Sequence, residues 1–204
     1  MTDTLNHWDE VYHNKDHSKL SWHQDTSTIS LRWILEYAKN NDSIIDVGSG
    51  VSVLVDNLID SGYKNISLLE ISPIAIKATK DRLGKLSSGV DFINENVLDL
   101  NQNKTYKVWH DRALFHFLTN KKEQHKYLDI INMHIAIGGY FILSTFSTEG
   151  PKECSGLDIV QYDKDKITAM LAKNYKLIRS IKESHPHPNG GVQNFNYFCL
   201  QKER

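Results

Sequence analysis

The fold class that the sequence predicts is α/β: a doubly wound, mostly parallel sheet of seven strands, closed by a C-terminal antiparallel hairpin. Three observations predict it. Short apolar runs alternate with amphipathic stretches of helical length over residues 43–173, the pattern of right-handed βαβ crossovers. A glycine turn, Gly48-Ser49-Gly50, joins the first apolar run to the first amphipathic stretch, where a Rossmann-like sheet binds its ligand. Beyond residue 173 two strand-like runs flank SHPHPNGG, whose Pro and Gly suit a tight connection.

Taken in order, Asp25 or Thr26 is placed to cap a helix through about Lys39, with Ile29, Leu31, Ile34 and Leu35 on one side. The parallel strands are expected at Ser43–Val47, Asn65–Glu70, Val90–Asn94, Tyr106–His110 and Gly139–Thr145. Helices are expected between them at Val51–Ser61, Pro73–Leu83 and Lys121–Ile137. A last helix near Lys164–Lys173 leads into the hairpin strands Lys176–Glu183 and Val192–Gln201. No repeat, low-complexity tract or linker interrupts the pattern. Residues 1–204 therefore read as one domain, an N-terminal segment 1–40 ahead of a core 41–204.

Composition narrows the function. Twenty-four Lys and Arg balance 25 Asp and Glu, for a net charge of −1. Such a chain has no global field for a polyanion, which argues against a nucleic-acid partner. No apolar run reaches membrane-spanning length, and MTDTLNHWDEVY is too polar and acidic for a secretory signal. Cys154 and Cys199 form no CxxC pair, so neither a disulfide framework nor a cysteine metal site is expected, and the setting reads as cytoplasmic. His13 and His17 share a helical spacing, but HNKDH lacks the Glu of HExxH. No metal is expected, and nothing calls for more than a monomer or weak homo-oligomer.

The richest segment is SIIDVGSGVS, residues 43–52. An apolar strand delivers Asp46, and Gly48, Ser49 and Gly50 then turn the chain into a helix. A dinucleotide loop needs G-x-G-x-x-G, yet Val53 stands at the third glycine. Asp46 would also repel a pyrophosphate, whereas it suits the ammonium of S-adenosyl-L-methionine. Glu70 lies twenty positions after Gly50, the spacing at which an acid reaches ribose hydroxyls. Ile71 would flank the adenine, and Asn96 and Val97 would hold its edge.

These motifs resemble the class I S-adenosylmethionine-dependent methyltransferases over nearly the whole chain. More narrowly, NHWDEVY with LSWHQ, VWHDRALFHFLTN and STFSTEGPKECSGLDIVQYD resemble segments of the thiopurine S-methyltransferase group and its small bacterial relatives. The resemblance implies that residues 1–40 cover the cofactor, with Trp8 and Trp22 against it, and that Arg112 faces the methyl acceptor. Three positions depart from the pattern: Ser52 replaces the last glycine of the loop motif, Lys107 stands where an Asp often begins the fourth strand, and His110 has no counterpart.

Methyl transfer from a sulfonium chiefly requires alignment and exclusion of water. His110, at the same edge as the cofactor, is a candidate to accept a proton or steady an anion. Arg112 is a candidate to stabilise a thiolate or acidic group, with Asp111 orienting either. Cys154, in a loop long enough to act as a lid, and His185, in the hairpin turn, are candidates to touch the acceptor. A thiol needs only modest help to ionise, so a small thiol, sulfide or related chalcogen nucleophile is the expected acceptor. Protein lysine methylation is the alternative, although Asp111 is followed by Leu114 where D-x-x-Y/F would carry an aromatic. A non-catalytic module that only binds the donor is the third reading.

Overall fold

The structure is a computed structural model that describes residues 2–26, 28–187 and 190–204. Its strands are β1 (Ile44–Val47), β2 (Ile66–Leu69), β3 (Val90–Ile93), β4 (Tyr106–Arg112), β5 (Ile135–Phe146), β6 (Glu153–Cys154), β7 (Leu157–Asp158), β8 (Tyr175–Pro186) and β9 (Val192–Lys202). Its helices are α1 (Thr2–Asn14), α2 (Thr28–Tyr37), α3 (Leu54–Asp60), α4 (Pro73–Leu83), α5 (Lys121–His134) and α6 (Lys164–Leu171). Seven strands form one sheet in the order β3-β2-β1-β4-β5-β9-β8, and β6 pairs only with β7. The first five run parallel, and β9 and β8 add antiparallel edges.

Strands β1 and β2 are buried at every residue, because helices cover both faces of a parallel sheet. On one face Trp109, Phe141 and Leu143 pack with Tyr127 and Ile131 of α5 and Ile167 of α6. On the other, Val108, Ile142 and Tyr197 pack with Trp33 and Ile34 of α2 and Leu58 of α3. Helix α4 starts at Pro73, with the Ser72 hydroxyl accepting the Ala75 N–H at 3.2 Å. The strand order reverses between β1 and β4, so a crevice opens at their carboxyl ends. Helix α1 closes that crevice from above, its Val11 and Tyr12 packing with Leu20, Val51 and Ala75.

Several boundaries differ from the sequence reading; among them β8 runs on to Pro186, which puts His185 in the ladder opposite Gln193 and not in the turn. Helix α5 ends at His134 and β5 begins at once, because apolar Ile135 is drawn into the ladder opposite Tyr106. The ladder resumes at Val108–Tyr140, which leaves residues 136–139 bulged with Gly138 at φ +74°. Strand β4 continues past His110 to Arg112. Helix α3 starts three residues later than expected, the Ser52 N–H still closing the turn onto the Ser49 carbonyl. Helix α2 starts at Thr28, so neither Asp25 nor Thr26 caps it, and position 27 lies outside the described residues. Among the described residues no helix is long and apolar enough to cross a membrane.

Candidate active site

The glycine turn sits at the floor of a cavity at the carboxyl ends of β1, β2 and β4. Gly48 and Gly50 hold φ of +60° and +51°, a region open chiefly to glycine. Space imposes the same choice, since a Cβ on Gly48 would lie 2.6 Å from Leu114 and one on Gly50 2.5 Å from the Tyr12 hydroxyl. The Gly50 N–H donates to the Glu70 carboxylate at 2.8 Å, and the Ser72 N–H donates to its other oxygen at 2.9 Å. Burial nevertheless pushes the Glu70 carboxyl up to about 7, assisted by the negative charge of Asp46. Asp46, Glu70, Ile71, Asn96 and Val97 all line the cavity. Asn96 is held by capping a short turn, its side chain accepting the Leu98 N–H at 2.9 Å.

A buried relay reaches Asp46 from the side. The imidazole of His110, paired with Asp46 across β1 and β4, donates from Nδ1 to Asp46 Oδ1 at 2.6 Å. Its Nε2 lies 2.8 Å from the hydroxyl of Ser30 on α2. Ser30, His110 and Asp46 are each at most 3% exposed. Asp46 and Glu70 thus present two buried acids to one cavity with the glycine turn between them, a donor set that fits a cationic, hydroxyl-bearing molecule.

The opposite end carries a cation. Arg112 lies on the same face of β4 as His110, two residues on. Its Nε donates to the Tyr197 hydroxyl at 2.9 Å, its Nη1 donates to the Trp22 carbonyl at 2.8 Å, and its plane lies 4.9 Å above the Phe195 ring. Its Nη2 is buried and has no partner among the described residues. Trp8 and Trp22 meet edge to face at 6.0 Å, Trp8 rests on Phe117, and all three line the cavity. Cys154, on β6, completes the wall, and burial pushes its thiol up to about 11.

Residues 38–186, well over half the chain, match the family described as a methyltransferase domain. The chain belongs to that family. It is 26% identical over 160 residues to EEF1A lysine methyltransferase 2 of Mus musculus, covering 70% of this chain and 65% of that protein. It is 26% identical over 157 residues to malonyl-[acyl-carrier protein] O-methyltransferase 1 of Ilyobacter polytropus, covering 72% of this chain and 57% of that one. The chain therefore matches less than two thirds of the length of either. The N-methyltransferase NodS from Bradyrhizobium japonicum, solved with S-adenosyl-L-homocysteine, superposes with a TM-score of 0.75 at 10% identity, over 98% of this chain and 99% of that one. The fold is thus the Rossmann-like one of a methyltransferase domain, the fold class that the sequence predicts.

Within this domain the predicted residues fall into three groups. Asp46, Gly48, Ser49, Glu70, Ile71, Asn96, Val97, Trp8, Trp22, His110, Arg112 and Cys154 meet around the cavity, while Gly50 lies beneath it as the donor to Glu70. Asp111 does not belong to the site. It points to the opposite face of β4, where it accepts from the Tyr127 hydroxyl at 2.5 Å and from the N–H groups of Leu114 and Phe115, and burial raises its carboxyl to about 6. His185 stands one layer behind the wall, 4% exposed and edge-on to Phe195, its imidazole pushed down to about 4 by burial and by Arg112. His110 lines the cavity, but both its nitrogens are already bonded, which leaves none for an acceptor. Ser30 and Tyr12 were not anticipated. Only Tyr12 had a local signal, an aromatic one helical turn after Trp8.

Proposed function

We propose that this protein is an S-adenosylmethionine-dependent methyltransferase of small molecules, and that its acceptor is a thiol, sulfide or related chalcogen nucleophile with an acidic group. The observation that carries the reading is the buried, unpartnered Nη2 of Arg112 in the cavity wall. A buried guanidinium nitrogen without a partner is costly, and an anion on the acceptor satisfies it. Asp46 would hold the ammonium of the donor, Glu70 its ribose hydroxyls, and Ile71, Asn96 and Val97 its adenine. When bound, the donor supplies an electrophilic methyl group on a sulfonium.

The chain's own residues align, shield and polarise. Trp8, Trp22 and Phe117 exclude water, and Arg112 favours the ionised form of an acid beside it. No strong base is needed for a thiol, whose pKa of roughly 8.5 leaves a useful thiolate fraction near neutrality. The resemblance to the thiopurine S-methyltransferase group supports the same acceptor class. Three matched relatives named as lysine methyltransferases favour a second reading, a protein lysine acceptor. Against it, a lysine ammonium would approach the positive Arg112.

Methyl-labelled S-adenosylmethionine, incubated with the protein, a desalted cell extract, sulfide and simple thiols, separates the readings. Label is expected in volatile or small-molecule fractions, lost in Asp46→Ala and reduced in Arg112→Ala. Label confined to one protein band would establish the lysine reading instead. Donor bound with no label transferred would leave a binding module.

A further inference from the structure

We infer that Glu123, in the first turn of α5, selects the base of the donor, its carboxylate accepting a hydrogen bond from the exocyclic amine of adenine. The inference rests on the donor assignment proposed above and adds to it a residue that reads the base.

Where β3 ends, the cavity is lined by Asn96, Val97 and Leu98, and the segment leading into α5 brings Leu118 and Glu123 to the same cavity. Two contacts fix that segment. Gln124, 1% exposed, donates from Nε2 to the Leu118 carbonyl at 2.7 Å. Lys126 Nζ pairs at 3.2 Å with Asp99, the last residue of the turn that Asn96 caps. Glu123 and Lys126 are three apart and share a helix face. The face of α5 that meets the Asn96 turn therefore carries Glu123 as well.

The carboxylate there has no internal task. Glu123 is the third residue after the cap Asn120, where an acid commonly folds back onto the N–H of the cap. Here the cap side chain bonds the Lys122 N–H at 2.8 Å, and among the described residues Glu123 takes part in no hydrogen bond or ion pair. Its side chain is exposed, so a ligand in the cavity can reach it.

The turn beside it offers donors and lacks acceptors. The Asn96 side-chain oxygen accepts from the Leu98 N–H at 2.9 Å. The Asn96 carbonyl accepts from Asp99 at 2.8 Å and the Val97 carbonyl from Leu100 at 3.3 Å. What faces a ligand is the amide NH2 of Asn96 and the N–H of Val97. Adenine sets an acceptor, N1, next to a donor, the 6-amine, along one edge. The turn serves N1 and not the amine. A carboxylate only accepts, so Glu123 completes the pattern. Hypoxanthine reverses that edge, with a protonated N1 and a carbonyl that a carboxylate repels. The rival explanation is an acid that merely faces water at the cavity mouth.

Equilibrium binding tests this without depending on catalysis. The protein is titrated calorimetrically with S-adenosylhomocysteine and with S-inosylhomocysteine, whose base carries a carbonyl in place of the amine. S-Adenosylhomocysteine is expected to bind about tenfold more tightly, the effect of a hydrogen bond to a charged group reduced by exposure. Glu123→Gln keeps the size and suits the same helix position. It is expected to shrink the preference to about twofold or less, because its amide can turn either an oxygen or an NH2 to the base. Glu95→Gln, at the other acid lining this part of the cavity, is expected to retain the preference. Equal affinities for the unaltered protein, a preference that survives Glu123→Gln, or one that Glu95→Gln abolishes instead would overturn the role of Glu123 and leave the donor assignment standing. Failure of S-adenosylhomocysteine to bind at all would overturn the donor assignment, and the role of Glu123 with it.

Discussion

At the donor end of the cavity two carboxylates, Asp46 and Glu70, flank a turn and are held by backbone amides and a neighbouring strand. At the acceptor end the charge is a guanidinium, Arg112, held by a phenol, a loop carbonyl and the face of a ring. The donor end is local: β1, the glycine turn and the end of β2 supply it within about one βαβ unit. The Arg112 end draws Trp22, Arg112 and Cys154 from segments scattered over most of the chain. On the function proposed above, a shared donor and a private acceptor would explain the division. The first can be served by one compact device, while the second changes whenever a loop or the hairpin changes.

The comparison predicts separable defects. Asp46→Ala removes a buried partner of His110 and the acid facing the donor. Losing a charge-assisted hydrogen bond to the donor costs about 3 kcal/mol, so donor affinity should fall by roughly 100-fold in equilibrium titration. Acceptor-product affinity should change little; equal loss at both ends would show that the two are one coupled site. Arg112→Lys keeps the charge but loses the fork that binds Tyr197 and Trp22. Its kcat/KM for the acceptor should drop about 30-fold, the value of a charged hydrogen bond near 2 kcal/mol, with donor affinity unchanged. A donor defect of similar size would break the comparison.

Glu70 makes the donor end sensitive to pH. Its carboxyl sits at about 7 instead of 4.5, so between those values the folded protein retains a proton that the unfolded chain has released. Its contribution to stability is therefore present below that window and lost as pH rises through it. Donor binding to the ionised carboxylate has the opposite slope. Affinity should rise about tenfold from pH 6 to pH 8, and Glu70→Gln should flatten that rise in titrations across the range. The smallest effect belongs to Ser30→Ala, which leaves His110 Nε2 unpartnered and loosens Asp46 by about 1 kcal/mol. Donor affinity should weaken about fivefold while Ser30→Thr restores it, and a restored affinity without a hydroxyl at position 30 would remove the relay from the site.

The same division governed what could be read from the residues. The order of strands and helices was legible because period-two and helical patterns alternate cleanly, and the donor end because Asp46, the glycine turn and Glu70 keep fixed spacing. The α5–β5 junction was not: Ile135, Ala136 and Ile137 suit a helix as well as a strand, and pairing with Tyr106 decides. Asp111 was misassigned because β4 was ended at His110. Carried two residues further, strand alternation sends Asp111 to the face opposite His110 and Arg112. Ser30 lies 80 positions from His110, the residue it bonds, and only folded α2 brings it in.

Tyr12, finally, stands over the glycine turn so closely that its hydroxyl would collide with a single added carbon on Gly50. Trp8 is wedged against Trp22 and Phe117 beside it, and Asp9 accepts a hydrogen bond from Ser72. Helix α1 is therefore a roof packed directly on the glycine turn. On the function proposed above, a donor bound beneath that roof would leave past Trp8 and Tyr12, and residence time, more than affinity, is what thinning this aromatic cluster would change.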